Sequence, residues 1–182
     1  MSLEGFTGPM FSGKSTMLMS RIERARLAGL TSILVKPNLD DRFIANRVCT
    51  HANMSAEALV VPGNDRGVED IANLAGDNYS VVGVDEAQFF PCSIVTALLH
   101  LSDCGKRVFW AGLDMDAFGH PFGSVPMLMA VGGVTKMTAV CMGCGEDATH
   151  TWRHHGGNET IEVGEKDKYT ALCRPCWRAR GV

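Results

Sequence analysis

Near its amino end the chain carries a glycine-rich octapeptide, which reads Gly8-Pro9-Met10-Phe11-Ser12-Gly13-Lys14-Ser15. It fits the phosphate-loop pattern G-x-x-x-x-G-K-[ST] at every fixed position. The glycines let the backbone curl so that successive N–H groups face one phosphate. Lys14 supplies a positive charge for the β- and γ-oxygens, and Ser15 offers a hydroxyl to Mg²⁺. The octapeptide therefore predicts a site for ATP and Mg²⁺ to which all eight residues contribute.

The segments around this loop alternate between strand and helix patterns. An apolar segment at residues 3–7 precedes the loop, and a helical pattern at residues 15–28 follows it and ends at Gly29. Further strands are predicted at 32–36, 58–61, 80–84, 106–111 and 134–140, and further helices at 68–74 and 91–101. Because buried strands alternate with helices, the sequence predicts an α/β fold in which a P-loop parallel sheet is flanked by helices.

The charge balance and the apolar runs exclude several classes of function. The 182 residues include 17 Lys and Arg and 20 Asp and Glu, which gives a net charge of −3 with neutral histidine. A nucleic-acid-binding protein usually needs a basic face, so we expect no nucleic-acid partner. No apolar run approaches the roughly 20 residues of a membrane helix, and the first residues lack the features of a secretory signal. We therefore expect no membrane partner and a cytoplasmic location.

Two acidic residues, Asp85 and Glu86, directly follow the predicted strand at 80–84. In a parallel sheet this end of a strand faces the ligand crevice. Asp85 is predicted to hold Mg²⁺ or its water shell, and strand alternation predicts that Glu86 points to a different side. Glu86 can then take a proton from an attacking hydroxyl, which belongs to water in an ATPase and to an acceptor molecule in a kinase.

Residues after the two acids are candidates for binding a second substrate. Gln88 and Phe89 can wall a pocket for a planar base, whereas Phe90, which precedes a proline, is expected in the core. Gln88 is also predicted to contribute to the ATP and Mg²⁺ site.

A cation is expected near the transferred phosphoryl group, because it offsets the charge that develops during transfer. Arg42 is the first candidate, and Arg153 is the second. Asp40 lies two residues before Arg42 in the same irregular segment and is predicted to contribute to the ATP and Mg²⁺ site.

Four of the seven cysteines form two Cys-x-x-Cys pairs near the carboxyl end, namely Cys141, Cys144, Cys173 and Cys176. In a reducing compartment such pairs more often bind metal than form disulfides. Four thiolates suit tetrahedral Zn²⁺ in a closed, structural site, with an iron–sulfur site or a redox pair as the alternatives. Since the metal would pin both ends of segment 145–172 as a lid, we expect residues 1–139 to form a nucleotide-binding domain and residues 140–182 a small zinc-binding lid.

Together these motifs resemble the thymidine kinase family of the human cytosolic and bacterial type, in which a P-loop domain carries a zinc-held lasso. The matching segments run in family order along nearly the whole chain. They are the phosphate loop, Asp85-Glu86-Ala87-Gln88-Phe89-Phe90, Gly112-Leu113-Asp114, Pro121-Phe122-Gly123, Thr138-Ala139-Val140-Cys141-Met142-Gly143-Cys144, and Lys168-Tyr169 before Cys173-Arg174-Pro175-Cys176. The resemblance implies ATP-dependent phosphorylation of the 5′-hydroxyl of thymidine, with deoxyuridine as a second substrate, in the salvage of nucleosides for DNA synthesis.

The resemblance also implies roles for single residues. Glu86 matches the general base and forms the catalytic set with Lys14 and Arg42, while Ser15 and Asp85 match residues at the metal. The positions that match the nucleoside pocket and the lasso over the base are Met10, Gln88, Phe89, Leu113, Phe118, Thr151, Ile161, Val163, Gly164 and Tyr169. The assembly implied by the resemblance is a homotetramer.

The chain departs from this family pattern at two places. Relatives usually have an aromatic residue and then a basic or polar one after Leu-Asp-x-Asp, whereas this chain has Ala117 and Phe118. Either Phe118 takes the place of the aromatic residue or Ala117 leaves a roomier pocket. The lasso turn often carries paired glycines, whereas here Glu165 follows Gly164.

Two alternative functions stay open at this point. One is a P-loop phosphotransferase that uses a different nucleoside or another small hydroxyl compound as acceptor. The other is a zinc-ribbon ATPase that nucleic acid stimulates, which the basic residues Arg174, Arg178 and Arg180 favour and the acidic total opposes. The product formed from ATP, Mg²⁺ and a panel of nucleosides distinguishes them.

Overall fold

The computed structural model describes residues 2–38, 47–49, 55–154 and 168–181. The strands that precede the cysteine pairs are β1 (Ser2–Thr7), β2 (Ser32–Asn38), β3 (Arg47–Cys49), β4 (Ser55–Glu57), β5 (Leu59–Pro62), β6 (Val81–Val84), β7 (Arg107–Gly112) and β8 (Gly133–Lys136). Six of them form one sheet in the order β5-β2-β6-β7-β1-β8, and all neighbours in it are parallel. The remaining two, β3 and β4, form an antiparallel pair with each other.

Helices cover both faces of this sheet, and they are α1 (Lys14–Leu27), α2 (Asp65–Asn73), α3 (Ser93–Asp103) and α4 (Val125–Val131). On one face, Leu18 of α1 shares a buried cluster with Phe109 of β7. On the other face, Leu98 of α3 shares a larger cluster with Trp110, to which α2 and α4 also contribute. Phe109 and Trp110 are neighbours in one strand and so point to opposite faces. The predicted α/β fold is confirmed.

Local sequence signals explain where several of these helices begin and end. Asn64 caps α2, because its side chain accepts hydrogen bonds from the backbone N–H groups of Arg66 and Gly67 at 3.1 and 3.3 Å. After α1 the chain turns at Gly29, whose φ of 74° is left-handed and whose N–H donates to the Arg26 carbonyl. The predicted stop of this helix at Gly29 agrees with the structure.

The chain leaves the sheet at residues 137–138, which corrects the predicted single strand at 134–140. β8 ends at Lys136, and β9 (Ala139–Val140) pairs in antiparallel fashion with β10 (Asp147–Ala148) in a separate small sheet. The Met137 N–H still donates to the Thr7 carbonyl at 2.7 Å, and the chain then turns away. Apolar and β-branched residues occur on both sides of this change of sheet, so the sequence pattern does not reveal it.

Residues 139–154 and 168–181 form what we call the C-terminal module. Besides β9 and β10 it contains the antiparallel pair β11 (His150–Arg153) and β12 (Tyr169–Leu172) and the short helix α5 (Arg174–Arg178). Its small buried core includes Cys141, Leu172 and Trp177. Within the described ranges, every helix of the protein is too short or too polar to span a lipid bilayer.

Candidate active site

The phosphate loop, residues 8–15, joins the carboxyl end of β1 to the start of α1. Gly8 has φ 138° and lies so close to Met137 that a Cβ atom at Gly8 would be 2.2 Å from the Met137 carbonyl oxygen. Gly13 has a left-handed φ of 83° immediately before the helix. Both positions require glycine, because one lacks room for a side chain and the other adopts a conformation that side chains disfavour.

The side chain of Lys14 lies over its own loop. Its Nζ donates to the Pro9 carbonyl at 2.7 Å and lies 3.5 Å from the Ser12 hydroxyl, which also donates to the Pro9 carbonyl at 2.8 Å. Burial lowers the pKa of Lys14, and the charges of Glu86, Asp85 and Asp114 oppose this shift. The carboxylates therefore favour the charged ammonium form, which is the form that binds phosphate oxygens.

Asp85 lies directly after β6 and is buried. Its Oδ1 accepts hydrogen bonds from the Ser15 hydroxyl and from the Glu86 backbone N–H, both at 3.0 Å. Burial, with a contribution from the charge of Glu86, raises the pKa of Asp85 to about 7, although Ser15, the Glu86 N–H and Lys14 pull it down. A hydroxyl and a carboxylate in contact beside a phosphate loop offer the oxygen ligands that Mg²⁺ prefers.

Glu86 adopts a left-handed conformation, with φ 55°, which a non-glycine residue rarely does. Gln88 fixes its side chain, because the Gln88 amide nitrogen donates a short hydrogen bond to Glu86 Oε2. The amide oxygen of Gln88 accepts the Leu113 backbone N–H at 3.0 Å, and a Cβ atom at Gly112 would lie 2.9 Å from that oxygen. Gln88 therefore links Glu86 to the end of β7, a role that its sequence position does not reveal.

Two ring contacts involve aromatic residues that were predicted for the nucleoside pocket. The rings of Phe89 and Phe122 meet edge to face, with centroids 5.7 Å apart and planes at 84°. Phe90 is 2% exposed and lies in the core, as predicted. Phe118 lies under the guanidinium of Arg153, whose Cζ is 5.4 Å from the ring centroid.

Contacts join the phosphate loop to the C-terminal module. The Met10 backbone N–H donates to the Thr151 hydroxyl oxygen at 3.0 Å. Thr151 belongs to β11, in which Arg153 pairs with Tyr169 of β12. Thus the structure brings Met10, predicted for the nucleoside pocket, into contact with Thr151, predicted for the lasso. It places Tyr169 two residue pairs further along the same ladder.

Several predicted site residues lie outside the residues that the structure describes. They are Asp40, Arg42, Ile161, Val163 and Gly164. Their roles therefore stay predictions.

The four cysteines of the two Cys-x-x-Cys pairs, Cys141, Cys144, Cys173 and Cys176, form one cluster. All four Sγ atoms lie within 4.8 Å of one another. The Sγ atoms of Cys144 and Cys173 are 3.6 Å apart, which is too far for the roughly 2.05 Å bond of a disulfide. It is close to the spacing of about 3.8 Å that tetrahedral sulfur ligands have at zinc–sulfur bonds of about 2.3 Å. The cluster can therefore hold a metal ion such as zinc.

One ion pair at the site has no counterpart among the predicted roles. Lys136 Nζ lies 2.6 Å from Oδ2 of Asp114, and the Asp114 side chain is only 6% exposed. The two residues follow β7 and end β8, the strands on either side of β1. The pair therefore bridges the end of the strand that carries the phosphate loop. An acid two residues after a buried strand is the sequence signal that could have indicated Asp114.

Comparison with known proteins adds evidence of a different kind. The family model for thymidine kinase matches residues 1–177. A thymidine kinase from Deinococcus radiodurans is 40% identical over 192 residues, which cover 98% of this chain and 91% of that protein. One from Thermococcus kodakarensis is 40% identical over 180 residues, which cover 94% and 91%. Among solved structures, the replication initiator DnaA bound to AMPPCP and single-stranded DNA matches 75% of this chain and 40% of that chain at 14% identity. Its TM-score of 0.45 is too low to bear on fold or function.

Proposed function

The chain belongs to the thymidine kinase family, and from this premise we propose that it transfers the γ-phosphoryl group of ATP to the 5′-hydroxyl of thymidine. Deoxyuridine is proposed as a second substrate. The observation that carries this function is the contact of Ser15 with Asp85, at 3.0 Å, directly beside Glu86. This contact joins the phosphate loop to Asp85 and so places the loop beside Glu86, the acid that we propose as proton acceptor.

In the proposed reaction the 5′-oxygen forms a bond to the γ-phosphorus, and the bond from that phosphorus to the β–γ bridging oxygen breaks. ADP leaves with that bond's electrons, and the proton of the 5′-hydroxyl moves to Glu86. Gln88 holds Oε2 of Glu86, so we assign Oε1 to the proton. The protein does little covalent chemistry in such a transfer, and position and charge supply the rate.

The phosphate loop supports the binding of ATP. For Lys14 to reach the triphosphate, its Nζ exchanges the Pro9 carbonyl for phosphate oxygens. Ser15 and Asp85 would hold Mg²⁺, which supplies positive charge beside the β- and γ-oxygens when it is bound. Arg42 and Asp40 are proposed to complete this end of the site. Arg153 is the weaker candidate for the extra cation, because its guanidinium lies against the Phe118 ring.

The aromatic pair of Phe89 and Phe122 supports a pocket for a flat pyrimidine, because ring edges and faces favour such packing. Met10, Leu113 and Phe118 are proposed to line the same pocket. We propose that the lasso residues close over the base, with Thr151, Ile161, Val163, Gly164 and Tyr169. In this division, residues 1–139 carry the phosphoryl transfer and residues 140–182 enclose the nucleoside.

We propose zinc as the ion of the four-cysteine cluster, supported by four sulfur atoms that lie within 4.8 Å of one another. All four positions would be filled by protein, so the ion has a structural role. The family resemblance further supports a homotetramer that works in the cytoplasm.

A product assay tests the proposed function. The purified protein is incubated with ATP, Mg²⁺ and either thymidine, deoxyuridine, deoxycytidine or deoxyadenosine, and nucleoside monophosphates are separated by chromatography. We expect thymidine monophosphate as the main product. Turnover confined to another acceptor would indicate a different phosphotransferase. ATP hydrolysis that rises with added DNA or RNA, without any phosphorylated nucleoside, would indicate the nucleic-acid-dependent ATPase.

A further inference from the structure

Two residues in the middle of the phosphate loop contact the C-terminal module. The Met10 N–H donates to Thr151 Oγ1 at 3.0 Å, across 141 residues of sequence. The next residue, Phe11, packs its side chain against the core of the module, which contains Cys141, Leu172 and Trp177. One edge of the loop therefore contacts the C-terminal module.

Thr151 links the backbone of the C-terminal module to the phosphate loop. Its side chain is 4% exposed, and its backbone pairs with Ala171 in the β11–β12 ladder. The Ala171 carbonyl in turn accepts the backbone N–H of Met142 at 3.0 Å, and Met142 lies inside the first Cys-x-x-Cys pair. The paired strands β11 and β12 thus lie between the cysteine cluster and the contact with the phosphate loop.

Phe11 has a left-handed backbone with φ 66°. For a residue with a side chain this conformation is unfavourable and persists only when surrounding contacts hold it. Alternation of right- and left-handed residues is also what turns successive N–H groups toward one anion. The packing of Phe11 on the module therefore helps to maintain the curvature of the loop.

We infer that Thr151 is a positioning residue for the triphosphate, through which the C-terminal module sets the shape of the phosphate loop. This inference rests on the ATP site of the proposed function and adds to it. The module then has two tasks, since it encloses the nucleoside and also prepares the loop before any nucleoside binds. Thr151 acts through Met10 and not by touching the phosphates.

The test measures the binding of adenylyl imidodiphosphate, a non-hydrolysable ATP analogue, with Mg²⁺ and without nucleoside, by titration calorimetry. In T151V the isosteric side chain cannot accept the Met10 N–H, and we expect the dissociation constant to rise about tenfold. T151S keeps the hydroxyl, and we expect it to bind within about twofold of wild type. The matched control is T170V, since the Thr170 hydroxyl in the same strand pair contacts His154 and not the loop.

A second variant changes the loop side of the same interface between the phosphate loop and the C-terminal module. F11A removes the ring that packs on the module, and we expect weaker binding of the analogue at unchanged metal content, measured by atomic absorption. Wild-type affinity in either T151V or F11A would overturn the inference, as would T151S binding as weakly as T151V. A wild-type chain that binds no ATP analogue at all would overturn both the proposed function and this inference. A wild-type chain that binds the analogue, with variants that bind it equally well, would overturn the inference alone.

Discussion

The hydroxyl of Ser15 donates to Oδ1 of Asp85 at 3.0 Å, although 70 residues separate the two in sequence. Ser15 is the last residue of the phosphate loop after β1, and Asp85 follows β6, with β7 between these strands in the sheet. The contact therefore connects the residues that follow the carboxyl ends of β1 and β6. In the proposed reaction this contact sets where Mg²⁺-bound phosphates would lie relative to Glu86.

The burial of Asp85 predicts how the stability of the protein depends on pH when no Mg²⁺ or nucleotide is present. The pKa of Asp85 is raised from 3.8 to about 7 by burial and by the charge of Glu86. Between these values the unfolded chain has lost the proton while the folded chain keeps it, so the folded state binds more protons. This residue's contribution to the free energy of unfolding therefore falls as the pH rises from about 4 to about 7. Urea unfolding at pH 5, 6 and 7 measures this change in the free energy of unfolding.

Asp85→Asn is the control for this pH dependence, because the amide has no proton to lose. We expect the variant to lose stability less steeply than the wild type over the same pH range. Equal slopes for the two proteins would contradict the protonated state of Asp85 in the folded enzyme.

Glu86→Gln tests the general base. The amide is nearly the same size but cannot take the 5′-hydroxyl proton, so we expect turnover to fall by about 10²-fold or more. Thymidine affinity, measured by calorimetry, is expected to stay close to wild type. Glu69→Gln, on the exposed side of α2, is the matched control and should leave turnover unchanged. Near-normal turnover in Glu86→Gln would remove Glu86 from this role.

Gly123→Ala tests whether the close approach of Gly123 to the Gln88 backbone is needed to position Gln88. Gly123 has φ 54°, and a Cβ atom there would lie 2.2 Å from the Gln88 carbonyl oxygen. Gly29 has a similar φ of 74° but has nothing within 4 Å of such an atom. We expect Gly29→Ala to cost about 1 kcal/mol from its backbone alone. Gly123→Ala should cost more and should also lower turnover, because Gln88 moves away from Glu86.

Thermal unfolding and steady-state kinetics measure the two glycine variants side by side. The backbone cost is common to both, so the difference between them reports the clash with Gln88. If both variants lost the same stability and kept full turnover, the tight contact at Gly123 would not matter for the site.

Cys141→Ser tests the four-cysteine cluster. Cys141 is the buried member of the cluster, and a serine oxygen is a poor replacement for a thiolate at zinc. We expect less than one zinc per chain by atomic absorption and a lower unfolding temperature, since the metal closes a module with a small core. Cys104→Ser, at an exposed cysteine outside the cluster, should keep the metal. Unchanged zinc in Cys141→Ser would contradict the assignment of this site.

Local patterns were sufficient to predict the phosphate loop, the strands and helices of the parallel sheet, and the grouping of the two Cys-x-x-Cys pairs as a candidate metal site. Each of these patterns consists of residues close together in sequence. Contacts between distant segments were not accessible in this way. The link from Gln88 to the Leu113 N–H and the ion pair of Asp114 with Lys136 both depend on which strands become neighbours. Sequence periodicity carries no information about strand order.

Conformation at single residues also escaped prediction. Strand alternation indicated a direction for the Glu86 side chain, but the strand has already ended there and the residue is left-handed. Helix α4 lies in a stretch rich in Gly, Pro and Met, and it is stabilised by burying Val125 and Leu128 in the larger core cluster. Tertiary packing outweighs weak local preference at this point.

The first strand of the chain, β1, pairs with β7 and β8, which come last in sequence within the six-stranded sheet. Ser2 of β1 is opposite Arg107, and Glu4 is opposite both Phe109 and Gly133. During synthesis the loop-bearing strand thus emerges long before either neighbour, and both of its edges stay open until more than a hundred further residues have been made. A ribosome that stalls before β8 leaves one of these edges exposed, and exposed strand edges are where nascent chains aggregate.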